Sequence, residues 1–321
     1  MTSLDYAQPP FDPEIATELV AQSDVVVTSL APEEITALRA RAIVPDLPTL
    51  AADARCTVSE HRAPGPAGDV RVVLVRPEDA TTPLPLLLHL HGGGLVAGDV
   101  GDNVDMALDV APGWAVASVE YRLAPEDPYP AAIEDAYAAL VWLADEAPRL
   151  GLDPGRLVVT GVSAGGGLAA ALALLVRDRG GPPLMGQLLI CPMLDDRNDS
   201  ESGRQMAGLG SWDRTANATG WDAYLGAAAG GPGTPAYASA ARAASLRGLP
   251  PAFVDVGSAE TFRDECVDFA GRIWAAGGDA ELHVWPGGYH GFDGLAPRAR
   301  LSRAARAART DWLERLLLRS T

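Results

Sequence analysis

The most informative segment of the chain is Leu157-Val158-Val159-Thr160-Gly161-Val162-Ser163-Ala164-Gly165-Gly166-Gly167. It begins as a short apolar run typical of a buried strand, passes through Gly-x-Ser-x-Gly, and continues into small residues typical of a helix. A turn tight enough to expose the Ser163 hydroxyl strains the backbone, and Gly161 and Gly165 carry no Cβ atom that could collide there. The segment therefore predicts a nucleophilic serine at a helix N-terminus, where backbone amides favour negative charge.

The pattern around this segment alternates between strands and helices. Three strands are predicted before it, at Asp69–Val75, Leu86–Leu90 and Trp114–Val119. The further predicted elements are helix Ala131–Ala144, strand Leu157–Thr160, helix Ala164–Arg177, strand Gln187–Ile190, strand Phe253–Val256, helix Phe262–Ala276 and strand Glu281–Trp285. Such alternation predicts an α/β protein with a mostly parallel sheet between layers of helices.

Three segments depart from this rhythm. Residues 1–55 have helical patterning interrupted by prolines, which predicts a helical addition to the sheet. Asp195–Pro250 is irregular, rich in Gly and Ala, and contains scattered aromatic residues. An insertion of this length usually has a role such as covering a site. The C-terminal run Arg298–Leu318 predicts an amphipathic, arginine-rich surface helix.

A second chemical motif, His91-Gly92-Gly93-Gly94, directly follows the predicted strand Leu86–Leu90. Consecutive glycines let backbone amides turn toward a substrate oxygen. We expect the amides of Gly92 and Gly93, together with the amide of Ala164, to hold the oxyanion of a tetrahedral intermediate. His91 is interpreted as a brace for this loop. A flexible glycine-rich turn is the alternative.

A serine nucleophile also needs a base and an acid. The five histidines are His61, His89, His91, His283 and His290. His61 precedes the predicted sheet and is expected on the surface. His290 lies in a loop after the last predicted strand, at the edge of the sheet where a catalytic histidine belongs. The acid should lie between serine and histidine in the chain, after strand Phe253–Val256. The candidates are Glu260, Asp264 and Glu265. Spacing favours Glu260 and leaves Asp264 open.

Composition restricts the remaining function classes. The 321 residues suffice for one large domain, and the formal net charge of −17, with no lysine, argues against nucleic acid as a partner. Three widely spaced cysteines, at Cys56, Cys191 and Cys266, indicate reduced thiols without a disulfide framework or zinc site. The start Met1–Tyr6 has no basic and apolar targeting pattern, and no stretch approaches the length of a membrane span. We therefore expect a cytoplasmic protein without a metal or an organic cofactor.

Six motifs occur together in a recognisable order. They are His91-Gly92-Gly93-Gly94, Tyr121-Arg122-Leu123-Ala124-Pro125-Glu126, Tyr129-Pro130-Ala131-Ala132 with Asp135, the Ser163 turn, Arg263-Asp264-Glu265, and His290-Gly291-Phe292. We expect Arg122 and Glu126 to be partners that hold together the loops around the site. In this combination the chain resembles the bacterial hormone-sensitive-lipase-like esterases, the family IV lipolytic enzymes of the α/β-hydrolase fold-3 group. The resemblance runs from about residue 85 to 295.

The resemblance implies an α/β-hydrolase fold: a mostly parallel central sheet flanked by helices, with a helical cap. Residues 1–55 would form the N-terminal cap segment, and 56–321 the catalytic domain, with a cap insertion at about 195–245. The family's acid, usually Asp, corresponds to Glu260. Two other positions depart from the family pattern: Val162 replaces an acidic residue, and Leu95 stands where an aromatic often follows the glycines. The departure at Leu95 implies a reshaped acyl or alcohol pocket.

For function, the resemblance implies a serine carboxylesterase that hydrolyses small to medium acyl esters through an acyl-enzyme intermediate. Its partner would be a small-molecule ester, and a homodimer is a candidate because dimers are common among its relatives. The same catalytic residues could instead cleave an amide, carbamate or lactone. A non-catalytic ligand-binding module is a further alternative, since plant gibberellin receptors resemble this family but lack a complete triad; the presence of both Ser163 and His290 argues against it.

Overall fold

A computed structural model describes residues 7–41 and 45–319. Eight strands form one sheet in the order β1-β2-β4-β3-β5-β6-β7-β8. The strands are β1 Cys56–Gly65, β2 Gly68–Pro77, β3 Leu84–Leu90, β4 Ala115–Glu120, β5 Leu152–Val162, β6 Gly186–Ile190, β7 Ala252–Gly257 and β8 Ala280–Trp285. β1 and β2 pair antiparallel, as do β2 and β4, and all remaining pairs are parallel. The predicted α/β-hydrolase fold with a mostly parallel sheet is confirmed.

Eleven α-helices lie within the described part of the chain. They are α1 Pro13–Ala21, α2 Ile35–Arg41, α3 Leu47–Asp53, α4 Val104–Val110, α5 Ala131–Leu150, α6 Ala164–Arg179, α7 Glu201–Gln205, α8 Arg214–Leu225, α9 Arg263–Ala275, α10 Phe292–Leu295 and α11 Arg300–Arg319. None of the described helices is both long and apolar enough to cross a bilayer.

The core lies on both faces of the sheet because successive strand residues point to opposite sides. Leu86 and Leu88 of β3 belong to the larger apolar cluster, which includes residues of α5, α6 and α9. Leu87, between them, belongs to a second cluster with residues of α4 and α11. The nearly continuous apolar character of β3 in the sequence follows from this burial on both faces.

The structure differs from the predicted boundaries in two instructive places. Helix α5 continues to Leu150, past Ala144 where the prediction ended, although Pro148 lies inside its last turns. His61, which was expected on the surface before the sheet, lies within strand β1. β1 is the edge strand of the sheet and few of its side chains are buried. Its sequence therefore shows little apolar alternation.

The two segments outside the sheet flank the same edge of the molecule. Helices α1 to α3 occupy the described part of residues 7–55, and α7 and α8 lie in the irregular region from 195 to 250. The Thr28 hydroxyl donates to the Gly210 carbonyl at 2.6 Å, and Thr219 donates to the Leu30 carbonyl at 2.6 Å. The two segments are therefore in direct contact. The expectation about Met1–Tyr6 falls outside the described residues.

Candidate active site

The carboxyl ends of the parallel strands gather the predicted site residues at one edge of the sheet. Ser163 directly follows β5 and caps α6 with φ 58° and ψ −119°, a conformation that a non-glycine residue rarely adopts. The sequence predicts glycine on both sides of the serine because a Cβ atom there would collide, and the structure agrees. A Cβ atom at Gly161 would lie 2.2 Å from the Gly165 carbonyl oxygen, and one at Gly165 would lie 2.0 Å from the Leu90 oxygen. The turn therefore requires glycine at both positions.

His290 lies in the loop after β8, and its Nε2 atom is 2.9 Å from the Ser163 Oγ atom. The loop is fixed at several points. The Ser211 hydroxyl donates to the His290 carbonyl, and the Phe262 ring meets the imidazole edge to face, with centroids 5.0 Å apart. The other four histidines do not contact the Ser163 hydroxyl. Of the described histidines, His290 alone is placed to take its proton.

Glu260 completes the hydrogen-bonded chain. Its Oε1 atom lies 3.1 Å from His290 Nδ1, and its Oε2 atom accepts a 2.9 Å hydrogen bond from the Gly257 amide. The carboxylate is almost completely buried, with 2% of the residue exposed. Asp264, the alternative acid, instead accepts from the Ser202 amide at 2.8 Å and from Arg263. The geometry thus favours Glu260 as the partner of the imidazole.

The glycine-rich loop lies against the serine. A Cβ atom at Gly92 would be 3.7 Å from Ser163 Cβ, and Gly93 has φ 113°, which favours glycine. Within the described chain, no hydrogen bond uses the amide of Gly92 or Gly93 as donor, whereas the Gly93 carbonyl accepts from Val96 and Ala97. These two amides are therefore available beside Ser163, next to the Ala164 amide at the start of α6.

His91 is positioned as a brace. It is buried, its Nδ1 atom lies 2.8 Å from the Gly92 carbonyl oxygen, and its ring stacks on Tyr121 with centroids 4.1 Å apart. The Tyr121 hydroxyl donates to the His91 carbonyl at 2.7 Å. Burial lowers the pKa of His91 to about 4, so the ring is neutral near pH 7. The arrangement holds the loop that carries Gly92 and Gly93.

A cavity of about 460 Å³ opens in front of Ser163. Its walls come from the glycine loop, from both segments outside the sheet and from the His290 loop. Trp212, one of the aromatic residues of the irregular region, also lines the cavity. The lining residues that the sequence interpretation had not singled out are Val25, Val27, Leu38, Arg41, Ala97, Gly98, Asp102, Asn103, Ser211 and Leu295. These residues carry no local motif and are brought to the cavity by packing.

The two departures from the family pattern have different surroundings. Val162 is nearly buried and lines the cavity next to the serine. Leu95 is buried in the larger core cluster with φ 65° and does not line the cavity. A Cβ atom at Gly94 would lie 2.6 Å from the Trp212 ring, so Trp212 covers the loop here. The expected reshaping of the pocket at Leu95 stays a prediction.

The motif Tyr121–Glu126 corrects one expectation. Arg122 was expected to pair with Glu126, but its Nε atom binds Asp135 Oδ2 at 2.8 Å and its Nη2 atom binds Asp135 Oδ1 at 2.9 Å. Glu126 pairs with Arg39 of α2. The expectation was wrong because residues four apart just after a strand do not share a helical face, whereas α5 brings Asp135 back over the loop.

Cys191, Glu260 and His290 each place one potential metal-binding atom within 4.8 Å of the others. Burial raises the pKa of the Cys191 thiol well above its ordinary value, and a nearby carboxylate, Glu260, raises it further. The thiol is therefore protonated at neutral pH, while Glu260 and His290 are engaged with each other. We assign no metal to this group, and the expectation of a metal-free protein stays a prediction.

Comparisons with known proteins agree with this geometry. A family model described as alpha/beta hydrolase fold matches residues 87–294. Esterase LipI of Mycobacterium tuberculosis is 36% identical over 93% of this chain and 95% of that protein, and carboxylesterase NlhH of the same species is 36% identical over 92% and 93%. The solved structure of a bacterial heroin esterase is 34% identical, with a TM-score of 0.86 over 96% of this chain and 98% of that one. The chain therefore belongs to the α/β-hydrolase fold family, in its hormone-sensitive-lipase-like branch.

Proposed function

We propose that the chain is a serine carboxylesterase that hydrolyses small to medium acyl esters through an acyl-enzyme intermediate. The observation that carries this proposal is the unbroken chain of contacts Ser163 Oγ, His290 Nε2, His290 Nδ1 and Glu260 Oε1, with distances of 2.9 Å and 3.1 Å. A nucleophile, a base and an orienting acid in this geometry are the parts that acyl transfer requires. The relatives named esterase and carboxylesterase support the same chemistry.

In the proposed mechanism, Ser163 Oγ attacks the ester carbonyl carbon while its proton passes to His290 Nε2. The amides of Gly92, Gly93 and Ala164 donate to the oxyanion, and Glu260 stabilises the imidazolium through Nδ1–H. The intermediate expels the alcohol, whose oxygen receives the proton from His290. Water then attacks the acyl-enzyme with His290 again as base, and the bond between Ser163 Oγ and the acyl carbon breaks. Ser163 Oγ receives the proton from His290, and the carboxylic acid leaves.

The cavity supports the proposed substrate size. Its volume of about 460 Å³ lies toward the lower end of typical small-molecule sites, about 300–1,000 Å³. Apolar walls from Val25, Val27 and Leu38 suit a short acyl chain or alkyl group. We propose that residues 1–55 and about 195–245 act as the cap, with 56–321 as the catalytic domain, because both segments contribute to these walls.

The proposal also covers the location of the protein in the cell and its partners. The three cysteines are free thiols, two of them buried, which fits a cytoplasmic location. The net charge of −17 disfavours nucleic acid as a partner. A homodimer is the state that the resemblance suggests, and sedimentation of the full chain would test it.

The test is the hydrolysis of p-nitrophenyl acetate, butyrate, octanoate and palmitate by the wild type and by single variants. We expect Ser163→Ala and His290→Ala to lower kcat about a millionfold and Glu260→Ala about ten-thousandfold. Asp264→Ala is the comparison for the acid. Activity that survives Glu260→Ala and is lost in Asp264→Ala would move the acid to Asp264. A wild type inactive on every ester would favour an amide substrate or a binding module.

A further inference from the structure

The C-terminal helix α11 carries an arginine that is buried against the sheet. The helix was expected to be an amphipathic surface helix, but only 1% of Arg309 is exposed. Its side chain lies beside the second core cluster, and its Nη1 atom is 3.6 Å from the sulfur of Met106 in α4. A buried guanidinium needs carboxylate partners, because an unpaired charge in the protein interior is strongly destabilising.

Two buried aspartates hold it. The Arg309 Nε and Nη2 atoms lie 2.9 Å and 2.8 Å from Asp255 Oδ2, and Nη1 donates to Asp293. Asp255 belongs to β7, and its Oδ2 atom accepts a 3.0 Å hydrogen bond from the indole N–H of Trp285 in β8. Asp293 belongs to α10. One side chain of α11 therefore connects the last two strands with the short helix that follows them.

The two aspartates are close in the chain to the acid and the base. Asp293 comes three residues after His290, and Asp255 belongs to the strand whose end, Gly257, donates to Glu260. Arg309, Glu260 and Gly291 line one narrow crevice beside the triad. Arg306, one turn earlier on α11, donates to the Asp293 carbonyl at 2.8 Å. Helix α11 thus contacts the segment after His290 through both the side chain and the backbone carbonyl of Asp293.

Stability alone is a poor reason for this cluster. It buries two carboxylates with a single guanidinium, and burial raises the pKa of Asp255 while the charge of Arg309 opposes that rise. Apolar residues of the same volume commonly stabilise a core as well as a buried ion pair does. An arginine fork, by contrast, fixes the relative positions of two carboxylates, which a lysine cannot do.

We propose that Arg309 is a positioning residue for the catalytic histidine, setting the His290 loop against the strand that leads to Glu260. It touches neither substrate nor the reacting atoms, and it acts by holding Asp293 and Asp255 at a fixed separation. The inference rests on the proposed esterase mechanism, since it assigns Arg309 a part in keeping the hydrogen bonds from His290 to Ser163 and Glu260 at 2.9 Å and 3.1 Å.

The test compares Arg309→Lys and Asp293→Leu with the wild type. The lysine variant keeps the charge and loses the fork. The leucine variant removes the side-chain link between Arg309 and residue 293, keeps the Arg306 bond to the backbone carbonyl there, and leaves a balanced Arg309–Asp255 pair. It remains a usable test if the lysine variant fails to fold. Arg315→Lys is the matched control, because Arg315 ties the same helix to Glu281 of β8 at 2.7 Å, away from the His290 loop.

Two kinds of measurement are made at a temperature well below the lowest Tm of the set. The first is kcat and KM for p-nitrophenyl acetate. The second is the far-downfield proton resonance of the His290 Nδ1–H shared with Glu260, which reports on positioning without turnover. We expect kcat to fall about tenfold or more in both variants, KM to change less than about twofold, and the resonance to shift or broaden. Arg315→Lys should match the wild type in all three.

Folded variants with wild-type kcat and an unchanged resonance would overturn the proposal and leave Arg309 as a core residue only. A wild type without esterase activity would contradict the proposed function instead, and the resonance alone would then decide whether Arg309 positions His290.

Discussion

Gly93 illustrates how single residues limit the chemistry of this site. Its φ of 113° turns the glycine loop, and a Cβ atom there would lie 2.1 Å from the Ala97 carbonyl oxygen. The same loop places Gly92 against Ser163 and carries the amides assigned to the oxyanion. Backbone conformation, more than side-chain chemistry, therefore determines whether these amides face the substrate.

We expect Gly93→Ala to lower kcat for p-nitrophenyl acetate by about a hundredfold, because the loop must move and an oxyanion donor is lost. Its free energy of unfolding should fall by about 2 kcal/mol or more. Gly113→Ala is the control: φ is 82° but no atom lies within 4 Å of the added Cβ, and the residue precedes β4 at the opposite edge of the sheet. It should cost about 1 kcal/mol and leave kcat unchanged. Equal activity losses in the two variants would refute this explanation.

At the scale of elements, the Arg39 side chain connects helix α2 to the loops around the site. Arg39 donates from Nε to the Val96 carbonyl at 2.6 Å and from Nη2 to the Ala124 carbonyl at 2.7 Å, and it forms a bidentate pair with Glu126. Its neighbour Leu38 forms part of the cavity wall. The position of this wall thus depends on contacts between the N-terminal segment and the loops after β3 and β4.

We expect Arg39→Met to weaken the discrimination between acyl chains. Each methylene buried against a firm wall gains about 0.8 kcal/mol, or about fourfold in kcat/KM, so the two extra methylenes of butyrate gain about fifteenfold, and a mobile wall gives less. The ratio of kcat/KM for butyrate to that for acetate should therefore fall toward one. Arg55→Met is the control, since the Arg55–Asp79 pair is highly exposed. An unchanged ratio in Arg39→Met would show that α2 does not set the wall.

Across the whole molecule, buried histidines link folding to pH. His89 of β3 is 1% exposed, its Nε2 atom lies 2.9 Å from the Asp102 carbonyl oxygen, and burial lowers its pKa to about 4. In the unfolded chain the pKa is near 6.5, so between pH 6.5 and 4 the unfolded state binds more protons than the folded one. Stability from the neutral ring is therefore complete above pH 6.5 and is lost as pH falls toward 4.

The corresponding prediction concerns a difference between two proteins, so that carboxylate titrations cancel. The free energy of unfolding of the wild type minus that of His89→Gln should be largest near pH 7. It should decrease by up to about 3 kcal/mol between pH 6.5 and 4. Urea unfolding at constant ionic strength measures it. A difference that is constant over this range would mean that His89 titrates normally in the folded state.

Local signals in the sequence were sufficient for much of the fold and part of the site. The apolar run before Gly161, the tight turn at Ser163 and the small residues of α6 follow from backbone sterics and periodicity, which act over a few residues. The same holds for the glycine loop at Gly92 and Gly93. His290 could be chosen because only a loop after the last strand suited a base.

Other features depended on residues far apart in the chain. Glu260 and Asp264 stand four positions apart with similar local surroundings, and only packing brings a Glu260 oxygen to 3.1 Å from His290. Arg309 looks like one of many arginines on a surface helix, yet it is buried between two aspartates. Sequence alone determined the strands, the sharp serine turn and the order of the motifs. Tertiary structure decided the contact of Glu260 with His290, the burial of Arg309 and the cavity walls, because these contacts form only when distant elements pack together.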